Sequence, residues 1–191
     1  MPIYVALSFT LGEDSPVGIS NIEDNKPLTG YNTKYQRLPA FDLTGFTKIV
    51  ESGGELYDEV RGDGRWEVLR NIAGDDKTIY GVASFDKECT RGRYRYTLAV
   101  KASEGQVRNA RLGVSLFSIH IKESEWIVFS IESFSAQWGK FWQDDPYNLI
   151  KKLGWDFNTV VGLHIDVFPP LYSSNDDRME FMMPVRRRAD R

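Results

Sequence analysis

The stretches YGVASFD, Tyr80–Asp86, and VGLHIDV, Val161–Val167, decide the fold, because they read as two copies of one strand with Gly81 opposite Gly162. A second pair follows in the same order. YTLAV at Tyr96–Val100 matches FMMPV at Phe181–Val185, with Ala99 opposite Pro184. Each set comes after a helical pattern, so the matches describe a repeated unit rather than isolated coincidences.

Working outward, the order of elements agrees with a duplication. KYQRLPAFDLTGFTKIV, from Lys34, is rich in β-branched and aromatic residues and reads as strand with a break at Pro39. In GGELYDEVRGDGRWEVLRNIAG, the residues Leu56, Val60, Trp66, Leu69 and Ile72 recur at helical spacing, with RGDGR as an interruption and Gly74 as a stop. Strands at TIYGVASFD and YRYTLAVKA close the first half around the loop KECTRGR. SEGQVRNARLG, residues 103–113, is polar and reads as a surface excursion. VSLFSIHI and WIVFSIES begin the second half, and AQWGKFWQDDPYNLIKKLG gives its helix, with Pro146 suited to a first turn. VVGLHIDVFPP and MEFMMPV complete it, and the tail RRRADR reads as a frayed end. The fold class is therefore α+β: a duplicated β-α-β-β unit, with antiparallel sheets and a groove between two pseudo-symmetric halves. The halves fall at about residues 31–101 and 114–188, within a domain of residues 31–188. Residues 1–30, rich in turn formers, are a poorly defined N-terminal extension.

Alternation assigns the side chains to faces. Gly162, His164, Asp166 and Phe168 share one face; Leu163, Ile165 and Val167 share the other. The wholly apolar face is expected to pack on the helices, leaving the mixed face as a concave surface between the halves. Glu180 has the opposite parity from Met179, Phe181 and Met183, so it too falls off the expected core face. An acid so placed belongs either to a solvated face, which is normal for an antiparallel sheet, or to an aromatic-walled pocket. In the second case its desolvation is offset by a cation or a donor-rich ligand. Aromatic walls add roughly 0.5–2 kcal/mol per cation–π contact. Candidate ligand-binding residues on this reading are Glu180, Asp166, Phe168, Tyr96, Trp66, Trp126 and Trp142.

Composition narrows the classes. The chain has 191 residues, 41% hydrophobic and 27% charged, enough for one substantial core. A net charge of −3 gives no bias toward nucleic acid. No apolar run approaches the roughly 20 residues of a membrane span, and the acidic start lacks a secretory n-region. One cysteine, Cys89, suits a reducing cytoplasm. His120 and His164 have no ligand set at zinc spacing, and no phosphate-binding glycine motif or nucleophile elbow occurs. No cofactor, no metal and no catalytic residue is assigned from these patterns.

The span from about Tyr35 to Arg187 resembles the GyrI-like domain, the effector-binding domain found at the C-terminus of AraC- and MerR-type regulators and as a stand-alone protein. RLPAFDLTGF, YGVASFD, YRYTLAV, EWIVFSIES and the closing IDVF…MEFMMPV carry the resemblance. It implies a duplicated β-α-β-β fold whose groove binds hydrophobic, often cationic small molecules beside an acid and aromatics. On that pattern Glu180 matches the acid of the terminal strand. Asp166 stands where many members carry Glu, and Phe168 where many carry Tyr. The resemblance also implies two alternatives: a hydrolase of reactive xenobiotics using Glu180 with a tyrosine hydroxyl from Tyr94 or Tyr96, and an interaction protein acting on a larger target such as gyrase. The leading expectation is a cytoplasmic, stand-alone binding or sensing module, monomer or homodimer, whose partner is an amphipathic or cationic small molecule. Neither a membrane nor, for this chain alone, nucleic acid is an expected partner.

Overall fold

The computed structural model describes residues 29–85, 87–90, 92–102, 116–173 and 175–188. The polar excursion at 103–113 and nearly all of the N-terminal extension lie outside the described residues. Nine strands and four helices are described: β1 (Asn32–Leu38), β2 (Phe41–Val50), α1 (Gly53–Gly62), α2 (Arg65–Ala73), β3 (Ile79–Ser84), β4 (Tyr94–Val100), β5 (Phe117–Ile121), β6 (Ser124–Ile131), α3 (Phe134–Gln143), α4 (Pro146–Lys152), β7 (Trp155–Phe157), β8 (Leu163–Phe168) and β9 (Met179–Arg187).

Local chemistry sets the boundaries. Ser52 caps α1 and Glu55 returns to the cap backbone, a complete capping box. The RGDGR interruption separates α1 from α2, and Gly64 turns the chain between them at φ 84°. Asp145 accepts from the amides of Tyr147 and Asn148, with Pro146 in the first turn of α4. β9 continues to Arg187, which pairs with Trp155 of β7, so Arg186 and Arg187 are strand rather than frayed tail. The three-residue strand β7 is too short to leave a periodic signal in the sequence.

The sheet is antiparallel throughout, in the order β1-β6-β9-β8-β3-β4-β2-β5, with β7 on β9. Each repeat supplies three strands, β2-β4-β3 and β6-β9-β8, and the repeats join where β3 pairs with β8. The two half-sheets are thus continuous. The strand leading into each half crosses to the other: β1 lies on β6, and β5 lies on β2.

Two residues, Lys122 and Glu123, join β5 at one end of this order to β6 near the other. So short a link requires the sheet to curl until its ends approach. Both faces are consequently buried. Helix-side residues include Val50, Leu98, Ile127, Phe129, Phe181 and Met183, with Leu56, Leu69, Phe141 and Ile150 from the helices. The concave side gathers Leu43 and Ile121 from one end with Trp126 and Val128 from the other, over Val82, Ile165 and Met182 at the centre.

This corrects the expected assignment of faces. The helices cover the mixed face of His164, Asp166 and Phe168, whereas Leu163 and Ile165 point into the concave side. Curling supplies an apolar environment that no helix provides, so the more hydrophobic face does not need the helices.

Candidate functional site

The seam between the halves is floored by small residues. Gly81 lies opposite Asp166, and Ala83 opposite His164. Tyr96 on β4 pairs with Ala83, and its ring leans across Gly81 toward β8. A β-carbon on Gly81 would stand 2.1 Å from the Tyr96 hydroxyl and 2.8 Å from Cζ. Only the missing side chain permits that approach.

Tyr96 Oη donates to Asp166 Oδ2 at 2.5 Å. Asp166 is 6% exposed, and its other oxygen, Oδ1, is buried without a hydrogen-bond partner. Burial pushes the carboxyl up to about 7, against the opposing pull of the tyrosine hydrogen bond. Burial and the neighbouring Asp166 charge drive the Tyr96 phenol well above its ordinary value. Burial holds the His164 imidazole down at about 4, hence neutral at physiological pH. Its ring packs between Phe181, 5.0 Å away, and Trp142, 5.7 Å away.

Above this floor is a cavity of about 500 Å³. The second half contributes Phe134, Trp138 and Trp142 from α3; the first contributes Tyr94, Tyr57 and the start of α1. Trp138 and Trp142 meet edge to face at 5.7 Å, and both meet Phe181 edge to face, so the wall is braced from behind. Three lining residues are acidic, Glu51, Asp58 and Asp166, and none is Lys or Arg. Such a site can hold an aromatic or aliphatic body above a buried carboxyl group.

The structure brings Asp166, Phe168, Tyr96 and Trp142 to this one cavity. Trp66 lies behind it, 3% exposed, edge to face with Phe168 at 5.6 Å. Two sequence expectations are corrected. Trp126 is fully buried on the concave side, where it packs with the sheet ends. Glu180 also faces away from the helices, because the register pairs Asp166 with Phe181 and Val167 with Glu180. Its carboxylate meets Lys34 Nζ at 2.7 Å on a half-exposed surface, so Glu180 and Tyr96 do not form an acid–base pair. Tyr57, Phe134, Glu51 and Asp58 also line the cavity, although they are not among the residues that the sequence pattern nominates. The capping box at Ser52 and Glu55 was the available signal, since it fixes where α1 starts.

Among the described residues, no group of three or more His, Cys, Asp or Glu is disposed to hold a metal ion. None of the described helices is long and apolar enough to cross a membrane.

This duplicated β-α-β-β sheet with helices on one face has the GyrI-like fold. No protein-family model matches the chain, and no curated protein matches it. Solved structures do. SAV2435 bound to tetraphenylphosphonium is similar with a TM-score of 0.63 and 14% identity, over 81% of this chain and 94% of that one. A Staphylococcus aureus MU50 protein assigned to bacterial transcription regulation gives 0.61 and 16%, over 82% and 99%. The C-terminal domain of EcmrR gives 0.56 and 11%, over 83% and 99%. At these identities the likeness is one of fold.

Proposed function

We propose that this chain is an effector-binding module that takes hydrophobic cations in the seam cavity, with Asp166 as the counter-charge. Residues 31–188 form the binding domain, residues 1–30 are an extension, and the single cysteine favours a cytoplasmic setting. One observation carries the reading: a carboxylate oxygen buried without a partner beneath aromatic walls. A buried acid left in this state costs the fold free energy, and a cation would satisfy it. The tetraphenylphosphonium held by SAV2435 supports the choice of probe.

The test compares tetraphenylphosphonium with tetraphenylborate, which has nearly the same shape and the opposite charge. Tryptophan quenching should show saturable binding of the cation and none of the anion at pH 8. Equal binding of both would remove the counter-charge, and binding of neither would remove the site.

Trp142 is 37% exposed at the cavity wall. Trp142→Ala should weaken tetraphenylphosphonium binding about tenfold, from the loss of one cation–aromatic contact and its buried area. Titration calorimetry measures this directly, and an unchanged affinity would show that the ligand avoids the α3 wall. Glu180→Gln should leave the affinity within about twofold, because an exposed pair on the opposite face contributes little. A large loss there would mean that the cation sits on the concave side.

A further inference from the structure

We propose that the cavity is built for an elongated dication, with one positive head on Asp166 and the other at the mouth between Glu51 and Asp58. The inference rests on the reading above and specifies the ligand class of that site. Both mouth residues are exposed, and both line the same cavity as the buried, unpartnered Asp166 oxygen. Their side chains make no described ion pair. The nearby cations are engaged elsewhere: Lys48 with Glu59, Arg93 donating to the Ile49 carbonyl, and Arg61 over the rings of Tyr57 and Trp66.

Depth and mouth are joined through one side chain. Tyr96 Cζ is 3.2 Å from the β-carbon position of Gly53, and its hydroxyl holds Asp166. Both contacts are made at the hydroxyl end of the ring, so one C–O bond and a contact on either side of it separate the start of α1 from the floor acid, and a short alkyl chain spans the gap. A monocation seated on Asp166 leaves both mouth carboxylates to water. The positive end of the α1 dipole opposes a cation there, but Glu55 in the first turn offsets it, and two carboxylates outweigh a partial charge of about one half.

The experiment titrates the protein with α,ω-bis(trimethylammonium)alkanes of increasing length and with alkyltrimethylammonium monocations of matching length. At the best length the dication should bind at least about fivefold tighter, the contribution of two exposed carboxylates. That excess should shrink in high salt, which screens exposed charges more than buried ones. It should vanish in the double variant Glu51→Gln, Asp58→Asn, which removes the acceptors of the second head. A dication no tighter than its monocation at any length overturns the inference, as does an excess that survives the double variant. In either case tetraphenylphosphonium binding by the unaltered protein keeps the cavity reading intact. Failure of tetraphenylphosphonium itself to bind overturns both.

Discussion

Asp166→Asn is expected to lower tetraphenylphosphonium affinity about thirtyfold at pH 8 while making the empty protein more stable. Both effects have the same cause. In the folded chain burial raises the Asp166 carboxyl to about 7 from an ordinary 3.8. Between those values the folded state holds more protons than the unfolded one, so stability falls as pH rises. The stabilisation is complete below about 4, declines through the window and is lost once pH passes about 7. Each tenfold step in acidity is worth 1.36 kcal/mol, so the ionised acid costs the fold on the order of 4 kcal/mol at pH 8. Asparagine does not titrate, and its carbonyl can still accept from Tyr96. Urea unfolding should therefore show the variant more stable than the parent at pH 8 and nearly equal at pH 4.

Ligand binding should follow the opposite course. A cation near a carboxylate in a partly buried site gains about 2 kcal/mol after desolvation, which is roughly thirtyfold. Affinity of the unaltered protein should fall as pH drops below about 7 and approach that of the variant near pH 5. His164 stays neutral over this window, and the Tyr96 phenol stays protonated. Glu51 and Asp58 are the other charged groups facing the cavity, and the variant keeps both. An asparagine variant with unchanged affinity, or with no gain in stability at pH 8, would show that Asp166 is not an uncompensated buried charge.

The sequence carried the repeat and the seam more faithfully than the faces. Gly81 and Ala83 mark a strand that must approach something closely, and Asp166 marks a charge held in an apolar run. Period-two alternation correctly separated Asp166 from Ile165, and it also separates Asp166 from Glu180 once β8 and β9 are paired. Register was the missing quantity. Matched against Phe181, Asp166 has the helix-side parity; matched against Glu180, it would share the concave side. No local pattern distinguishes these, since apolar residues line both faces of the sheet. The curl is equally invisible residue by residue, because it follows from β1 and β5 crossing to opposite halves with a two-residue link at Lys122–Glu123. Trp126 was drawn to the pocket by its chemistry and is claimed by that concave core instead. Tyr96 was legible as an aromatic at the seam, but its grip on Asp166 depends on a glycine whose role only the packing discloses.

That dependence gives the second large effect. Alanine in a strand is ordinarily better than glycine by roughly 0.5–1 kcal/mol, yet Gly81→Ala should destabilise the protein by about 2–3 kcal/mol. The new methyl would meet the Tyr96 hydroxyl at 2.1 Å and Cζ at 2.8 Å, and the ring, tied through its hydroxyl to Asp166, can give way only by moving into the cavity that it lines. Overpacking of this kind costs about 1–3 kcal/mol, and displacing the ring also removes the hydrogen bond to Asp166. Since that bond favours the ionised acid, its loss should keep Asp166 protonated to higher pH. The midpoint for tetraphenylphosphonium binding should therefore move upward. A double-mutant cycle separates the clash from general damage to the strand. In a Tyr96→Leu background the ring is gone, so Gly81→Ala should cost at least about 1 kcal/mol less than in the parent. Equal cost in both backgrounds would locate the strain elsewhere, and an unmoved pH midpoint in the single variant would show that Tyr96 does not govern the charge of Asp166.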